Sequence, residues 1–216
     1  AADKLVVEGN VEAAHLQGGK KIVIKKGVSG GGYAVIESGG EIHGKFFEGA
    51  SLTAKDGIYA NYVMNSNLAS GKEIVISGSK GALIGGNAAA VYQIEAFHIG
   101  NRAGLATNIF LGMNKEMKKK EEEADIKLKK LQAELAIFEE AYRKLQKQYP
   151  PEVRNTMELY LKVEQSTYIK RKQMEQQMEY KKELDAIHDK ADQASMLVRG
   201  VLNAGTVVQM DGKRWS

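Results

Sequence analysis

The sequence has no cysteine and only two prolines, which stand together at Pro150 and Pro151. Without cysteine the chain can form no disulfide, no thiol nucleophile and no cysteine-ligated zinc site, and it fits a reducing compartment. No uncharged apolar run approaches the roughly 18 residues that a membrane-spanning helix needs. The sequence therefore predicts no membrane span and no redox-active thiol chemistry.

An excess of charge of one sign is also missing. The 31 Lys and Arg residues stand against 27 Asp and Glu residues, so the formal net charge is only +4. A nucleic-acid surface needs clustered positive charge, whereas the run 118–120 of lysines is followed at once by the run 121–123 of glutamates. We interpret these runs as a solvated helix face and expect no nucleic-acid binding.

Glycine is absent from one long segment. Of the 23 glycines, 20 lie in residues 1–112, none lies in 113–196 and three lie in 197–216. We therefore expect three parts: a body of residues 1–112, an insert of residues 113–196, and a tail of residues 197–216 that returns to the body.

The glycine-rich body contains a repeat with a constant step of sixteen positions. Apolar residues at this step form two columns: Ile36, Leu52, Leu68 and Ile84 in one, and Ile42, Ile58 and Ile74 in the other. Each copy has a short alternating stretch typical of a strand and then a Gly or Asp typical of a turn. Such short strands bury an apolar core only by stacking. The body is therefore expected to be a β-helix, and the step of sixteen with its uneven spacing favours a right-handed parallel form over a left-handed one built on hexapeptides.

The insert shows the apolar spacing of a coiled coil. From Ala124 onward, apolar residues recur at alternating steps of four and three: Leu128, Leu131, Leu135, Phe138, Tyr142, Leu145 and Tyr149. The pattern stops at Pro150 and Pro151, so the first helix ends there and a second one is expected from about Glu152 to Ser195.

The second helix has a less regular seam, which requires a register shift between Gln165 and Arg171. Its expected members are Val153, Met157, Tyr160, Met174, Met178, Leu184, Ile187, Ala191 and Ala194. We interpret its methionines as seam residues rather than as a docking groove. The fold class expected for the whole chain is thus mainly β: a right-handed parallel β-helix (solenoid) with an inserted antiparallel α-helical coiled-coil hairpin.

Residues suited to catalysis or metal binding are few. The histidines are His15, His43, His98 and His188, and none has a second His or a carboxylate pair at a recognised metal spacing. Glu41 and His43 alternate on one strand and should face solvent, because Ile42 between them is a repeat position. The segment 78–81 looks like a phosphate loop but lacks the Gly-Lys-Ser/Thr order. We therefore expect no catalytic residue, no cofactor and no metal site.

These features together resemble the bacterial flagellar assembly protein A family. The resemblance rests on the Gly-punctuated repeats, on the stretch 78–86 followed by 94–100, on the turn 145–154 of the charged insert, and on the return to Gly-rich strand. It implies a right-handed parallel β-helix with an inserted coiled coil, no established enzyme activity, and a cytoplasmic role linked to flagella or cell organisation. Family members usually carry a further N-terminal domain, so the resemblance also implies that the chain is a fragment starting at Ala1.

The repeats are also similar to the C-terminal β-helix of the division-site inhibitor MinC, and more distantly to bactofilins, which polymerise end to end. MinC partners a membrane-associated ATPase of the ParA type. The resemblance therefore implies a ParA/MinD-type ATPase as a partner, although no contact motif can be transferred residue by residue.

We expect a non-enzymatic structural or interaction module, in which a β-helix scaffold presents a coiled-coil arm that docks partners or a second copy. The alternative is a β-helix enzyme, either an acyltransferase or a polysaccharide-acting protein. Such acyltransferases use hexapeptide repeats and a loop His, and polysaccharide lyases need a carboxylate-rich calcium groove; the sequence shows neither pattern.

A homodimer is expected through the arm or through an end of the solenoid. An open strand edge pairs with another chain unless it is capped, and the first coil near Leu5 has no obvious cap. The tail 211–216 is expected to obstruct the other end and so to prevent an open filament. On the arm, Leu159, Leu161 and Val163 are expected to lie off the main seam.

Overall fold

The computed structural model describes residues 3–78, 80–210 and 213–215. It divides into two compact units, one formed by residues 1–113 with 190–216 and the other by residues 114–189. Strands make up the first unit and helices make up the second. Among the described residues, no helix is both long enough and apolar enough to cross a membrane.

The first unit is a β-solenoid in which each strand pairs with a strand of the next coil. Its strands are β1 (Lys4–Val7), β2 (Val11–Glu12), β3 (His15–Gly18), β4 (Lys21–Ser38), β5 (Glu41–Ala54), β6 (Gly57–Ala60), β7 (Tyr62–Ser70), β8 (Glu73–Ile76), β9 (Ala82–Ala90), β10 (Gln93–Ala96), β11 (His98–Ile99), β12 (Thr107–Leu111), β13 (Ser195–Val198), β14 (Thr206–Met210) and β15 (Lys213–Trp215). The pairings are parallel, apart from the antiparallel pair of β14 and β15 among the described strands. The expected β-helix with a helical insert is confirmed, while the right-handed winding stays a prediction.

Apolar residues from successive coils stack in ladders that form the core. The first ladder consists of Leu5, Ile22, Ile42, Ile58, Ile74, Ile94 and Met196. Ile42 pairs with Ile58 and Ile58 pairs with Ile74, which is the step seen in the repeat, and all three side chains are fully buried. The column of isoleucines expected from the repeat is therefore confirmed.

Two further ladders complete the core. One runs through Val11, Val28, Phe47, Val63, Leu83 and Ile99, and the other through Leu16, Ile36, Leu52, Leu68, Ala88, Ile109 and Val208. The expectation that Ile84 continues the second of these was wrong, because Leu68 pairs with Ala88 while Ile84 pairs with Met64. Extra residues in the turn between Ile76 and Ala82 lengthen this coil and move the column by four positions, from Ile84 to Ala88.

Another lengthened coil lies near the start of the solenoid, where Ile22 pairs with Ile42 and so skips four positions more than the repeat step. The register of β4 against β5 shifts at two places, by one position between Ile24 and Gly27 and by three positions between Ser29 and Ala34. The second place brackets the three consecutive glycines at 30–32. A Cβ at Gly30 would lie 2.4 Å from the carbonyl oxygen of Gly49, so only glycine fits this bulge. The looser repeat spacing expected at these glycines is confirmed.

The second unit is a helical hairpin. Helix α1 (Lys115–Gln148) is capped by Asn114, whose side chain accepts a hydrogen bond of 2.8 Å from the Met117 backbone N–H. The short helix α2 (Pro151–Arg154) follows, and α3 covers Glu158–Ala191. As positions rise along α1 their partners on α3 fall, from Glu121 with His188 through Glu134 with Lys170 to Tyr142 with Tyr160, so the helices are antiparallel.

The single second helix expected from about Glu152 to Ser195 is interrupted after Arg154 and ends at Ala191. At the interruption, the Thr156 hydroxyl donates to the Val153 carbonyl at 2.9 Å, and the Met157 N–H bonds to the carbonyl three residues earlier rather than four. Local side-chain bonds of this kind compete with the helix. At the far end, Ser195 leaves the helix and starts β13.

The seam of α1 agrees with the heptad expected from the sequence. The seam of α3 agrees in part, because Tyr160, Met174, Leu184 and Ala191 are buried or half-buried as expected. The expected register shift is absent, because polar side chains continue the steps of three and four. The half-buried or buried residues at these steps are Met157, Tyr160, Val163, Thr167, Lys170, Met174, Gln177, Lys181 and Leu184. Val153 and Met178, both expected in the seam, are 46% and 51% exposed, and the buried residue at the level of Met178 is Gln177. Val163, expected off the seam, lies on it.

Candidate functional site

The four histidines lie apart and each has a local partner. His15 faces Glu37 at 3.7 Å, and His98 accepts a hydrogen bond of 3.2 Å from the Val201 backbone N–H through Nδ1. On the hairpin, His188 Nδ1 lies 3.0 Å from Glu121. Within residues 3–78, 80–210 and 213–215, no group of three or more His, Asp or Glu side chains could hold a metal ion.

One connected polar cluster lies on the outer face of the first ladder. Lys21 Nζ and His43 Nε2 each lie 2.8 Å from Oε2 of Glu41. The His43 ring stacks on the Tyr59 ring with centroids 4.5 Å apart, and the Tyr59 hydroxyl donates to Glu73 at 2.6 Å. Glu41 and His43 are half-buried on the outward face, as their alternation with Ile42 predicts.

The solenoid itself assembles this cluster. His43 and Tyr59 occupy the same position of two adjacent coils, so their rings stack at the distance that separates neighbouring strands. Gly57 leaves room for Tyr59, because a Cβ there would lie 2.6 Å from the Tyr59 hydroxyl oxygen. The phenol therefore lies flat along its own strand and reaches Glu73 on the next coil.

The cluster disfavours proton transfer. The hydrogen bond from Lys21, and then that from His43, holds the pKa of the Glu41 carboxyl below its usual value, which makes Glu41 a weak base. Burial, and then the hydrogen bond to Glu73, raises the pKa of the Tyr59 phenol, which keeps it protonated. A general base needs a pKa near the working pH, so neither group is suited to that role.

Beside this cluster lies an open depression with a volume of about 390 Å³. Its lining residues are Glu41, Asp56, Tyr59, Lys72, Glu73, Tyr92 and Lys190. Lys72 pairs with Asp56 at 2.8 Å, and Lys190 lies 5.9 Å from the centroid of the Tyr92 ring. The lining charges are thus engaged with one another.

In the segment 78–81, the Gly81 N–H donates to the Gly78 carbonyl at 2.9 Å, a bond typical of a turn. Ser79 lies outside the described residues. The segment connects β8 to β9 in the lengthened coil, and its interpretation as a turn rather than as a phosphate loop stays a prediction.

The hairpin is held together by polar contacts as well as by its apolar seam. Near the end where α1 begins, Lys181 pairs with Asp185, with Asp125 at 3.2 Å and with Glu121 at 3.6 Å. The hydrogen bond to Asp185 is the main reason why the pKa of Lys181 lies above its usual value. Near the tip, the hydrogen bond between the Tyr142 and Tyr160 hydroxyls, and then burial, raise the pKa of Tyr142 to about 12.

The model of the FapA family, described as the flagellar assembly protein A β-solenoid domain, matches residues 1–215. The chain belongs to this family. A search of curated proteins and a search of solved structures found no match. The FapA family is not a known enzyme family, and its name connects this β-solenoid domain with flagellar assembly.

Proposed function

We propose that this FapA domain is a non-enzymatic, cytoplasmic interaction module. In this proposal the β-solenoid is a rigid scaffold, and the helical hairpin is the arm that docks a partner protein during flagellar assembly or the spatial organisation of the cell. A ParA/MinD-type ATPase is the partner that we propose, on the strength of the similarity of the repeats to MinC.

The observation that carries the proposal is that residues 114–189 form a compact unit of their own. This unit buries its own seam, including Leu131, Leu135 and Leu184, and yet leaves large apolar side chains such as Ile137 and Leu159 exposed. Exposed apolar groups that internal packing does not require are typical of a protein-binding surface.

The polar cluster of the solenoid supports a binding role over catalysis. Its charged groups are paired with one another, and the pKa shifts of Glu41 and Tyr59 move both away from values useful for proton transfer. We therefore propose that the solenoid acts as a rigid support for binding and not as a catalytic surface.

Affinity capture tests whether the helical hairpin docks partner proteins. The intact chain and a variant in which a Gly/Ser linker replaces residues 114–189 are used as baits in extracts of a flagellated bacterium that encodes the protein, and purified ParA/MinD-type ATPase is tested with and without ATP. We expect partners that bind the intact chain and not the linker variant. Identical partner sets for the two baits would contradict the proposal.

Self-association through the first coil is part of the proposal. Strand β1 pairs with β4 alone among the described strands, and we propose that its other edge pairs with a second copy. At the other end, β15 covers β14 through residues 213–215, whereas Asp211, Gly212 and Ser216 lie outside the described residues. Light scattering after size exclusion should give a dimer, and a constant mass near 23.7 kDa over a tenfold range of concentration would contradict self-association.

A further inference from the structure

The two sides of the hairpin differ in how α1 and α3 are joined. On one side, which we name the bridged side, Arg171 donates two hydrogen bonds to Glu139 (2.8 and 3.0 Å), and Lys181 lies 3.2 Å from Asp125. A protein that docked there would have to displace these ion pairs. On the opposite side, which we name the open side, the described residues form one salt bridge between the helices, that of Lys170 with Glu134.

Residues at steps of seven identify the open side, because such residues share one face of a coiled-coil helix. On α3, the steps run through Leu159, Ser166, Gln173 and Tyr180, and on α1 through Lys120, Lys127, Glu134 and Ala141. A depression of about 310 Å³ whose lining includes Lys120, Lys127 and Tyr180 shows that these two rows adjoin. They therefore form the walls of one groove, which we name the open groove.

Apolar side chains lie along the outer half of the open groove. Leu159 belongs to the row of α3 and is 57% exposed. Ile169 lies three positions after Ser166, and Ile137 on the facing helix lies three positions after Glu134, so both adjoin the rows; they are 46% and 69% exposed. The stretch from Leu159 to Ile169 spans about 15 Å, or nearly three helical turns. That length and spacing suit a docked amphipathic helix, which buries residues at positions i, i+3, i+4 and i+7.

The charge of the open groove indicates which helix fits. Most charges beside it are paired: Lys120 with Glu116, Lys162 with Glu158, and Lys144 with Glu140. Lys127 and Lys130 make no salt bridge with any residue that the structure describes. Lys130 does act on the nearby Glu134 carboxylate, whose pKa it helps to lower, but no described residue holds either lysine in a salt bridge. The groove thus combines an apolar strip with two cations outside any salt bridge between described residues.

We propose that the open groove binds an amphipathic helix of a partner protein, whose apolar stripe covers Leu159, Ile169 and Ile137 and whose acidic residues face Lys127 and Lys130. This inference rests on the proposed docking role of the hairpin and adds the surface and the chemistry of the partner. A second copy that docked through its own open groove would place the same two lysines against Lys127 and Lys130, and these like charges repel.

The test uses the full chain and synthetic helical peptides of about 21 residues, three heptads, with leucine at the a and d positions. One peptide carries glutamate beside the leucine stripe and the other carries lysine. Fluorescence anisotropy should show that the glutamate peptide binds about tenfold more tightly or better, a difference that falls as salt is added.

Two adjacent residues of α3 provide matched variants. Ile169→Glu should weaken binding of the glutamate peptide about tenfold or more, because it places a charge in the apolar strip. Tyr168→Glu alters the preceding residue, which is 62% exposed and lies off the open groove, and should leave binding unchanged. The double variant Lys127→Glu/Lys130→Glu should reverse the preference for the two peptides, and circular dichroism checks that each variant keeps its helices.

Several outcomes would overturn the inference. These are equal affinities for the two peptides, loss of binding in Tyr168→Glu but not in Ile169→Glu, or a dimer of the full chain that Ile169→Glu dissociates, since that dimer would show that a second copy fills the groove. If the linker variant loses its captured partners while Ile169→Glu and the double variant keep them, the groove assignment fails and the docking role of the hairpin stands.

Discussion

Ile58 lies at the middle of the first ladder, between Ile42 and Ile74, and all three side chains are fully buried. Ile58→Ala removes three carbon atoms from a site whose upper and lower walls are neighbouring coils, held about 4.8 Å apart by backbone hydrogen bonds. These walls cannot move inward to fill the space. The substitution therefore leaves a cavity in addition to the lost apolar burial.

Large-to-small substitutions in cores cost about 2–5 kcal/mol, and a site that cannot collapse belongs near the top of that range. We expect a loss of about 4 kcal/mol in the free energy of unfolding of the solenoid. The solenoid unit comprises residues 1–113 and 190–216, and a domain of this size loses about 4 °C of melting temperature per kcal/mol. The melting temperature should therefore fall by about 15 °C, and Ile58→Asp should destabilise further, since it buries an uncompensated charge.

The assay is a thermal melt followed by circular dichroism in the β-sheet region, with Thr53→Ala as the matched control. Thr53 lies on the outer face of the adjacent coil and is exposed, so its substitution should change the melting temperature by at most a few degrees. If the melting temperature of Ile58→Ala lies within a few degrees of that of Thr53→Ala, the first ladder does not stabilise the core and the account of the solenoid is wrong.

Three further predictions concern other parts of the molecule. Replacing residues 114–189 by a Gly/Ser linker should remove the helical circular dichroism signal and leave a cooperative β-sheet melt; an unfolded product would show that the two units depend on each other. Gly40→Ala should destabilise the solenoid by about 3 kcal/mol, because its Cβ would lie 1.9 Å from the Lys20 carbonyl oxygen, whereas Gly9→Ala, with nothing within 4 Å, should have little effect. The pKa of Glu41 is lowered in the folded state, so its ionised carboxylate stabilises the fold at neutral pH, and this contribution disappears as the pH falls through that lowered pKa. Glu41→Gln should therefore make the free energy of unfolding fall less steeply as the pH is lowered. An unchanged dependence of this free energy on pH would contradict the role of the Lys21–Glu41 pair.

The sequence predicts the solenoid well where coils have the same length. Ile42, Ile58 and Ile74 are equally spaced along the chain, and inward side chains of equal coils must stack. The repeat step gives the wrong position for Ile84, because a turn lengthens that coil by four residues. Such a turn does not alter the alternation of apolar residues within the strands, so it becomes visible only in the pairing of Leu68 with Ala88.

The hairpin shows a different limit of the sequence. The seam of α1 consists of apolar residues, so a search for apolar spacing finds it. The seam of α3 passes through Thr167, Lys170 and Gln177, which such a search ignores. Lys170 pairs with Glu134, and the Gln177 side-chain amide donates to the Ala124 carbonyl at 3.3 Å; these partners on the other helix become apparent only once the antiparallel register is known.

The polar cluster around Glu41 could have been anticipated in part. The same repeat step that aligns Ile42 with Ile58 also aligns His43 with Tyr59, so the two rings are predicted to be neighbours on the outer face. The hydrogen bond from Tyr59 to Glu73 was not predictable in this way, because it depends on the ring lying flat over Gly57.

Flagellar assembly in the source bacterium tests the docking role of the hairpin most directly. The chromosomal copy is replaced by the linker variant lacking residues 114–189, its cellular level is matched to that of the unaltered protein, and flagella are counted by electron microscopy. We predict that cells with the linker variant lose flagella to the same extent as cells without the protein. Normal flagella in cells with the linker variant, together with loss of flagella in cells without the protein, would contradict a docking role for the hairpin in this process.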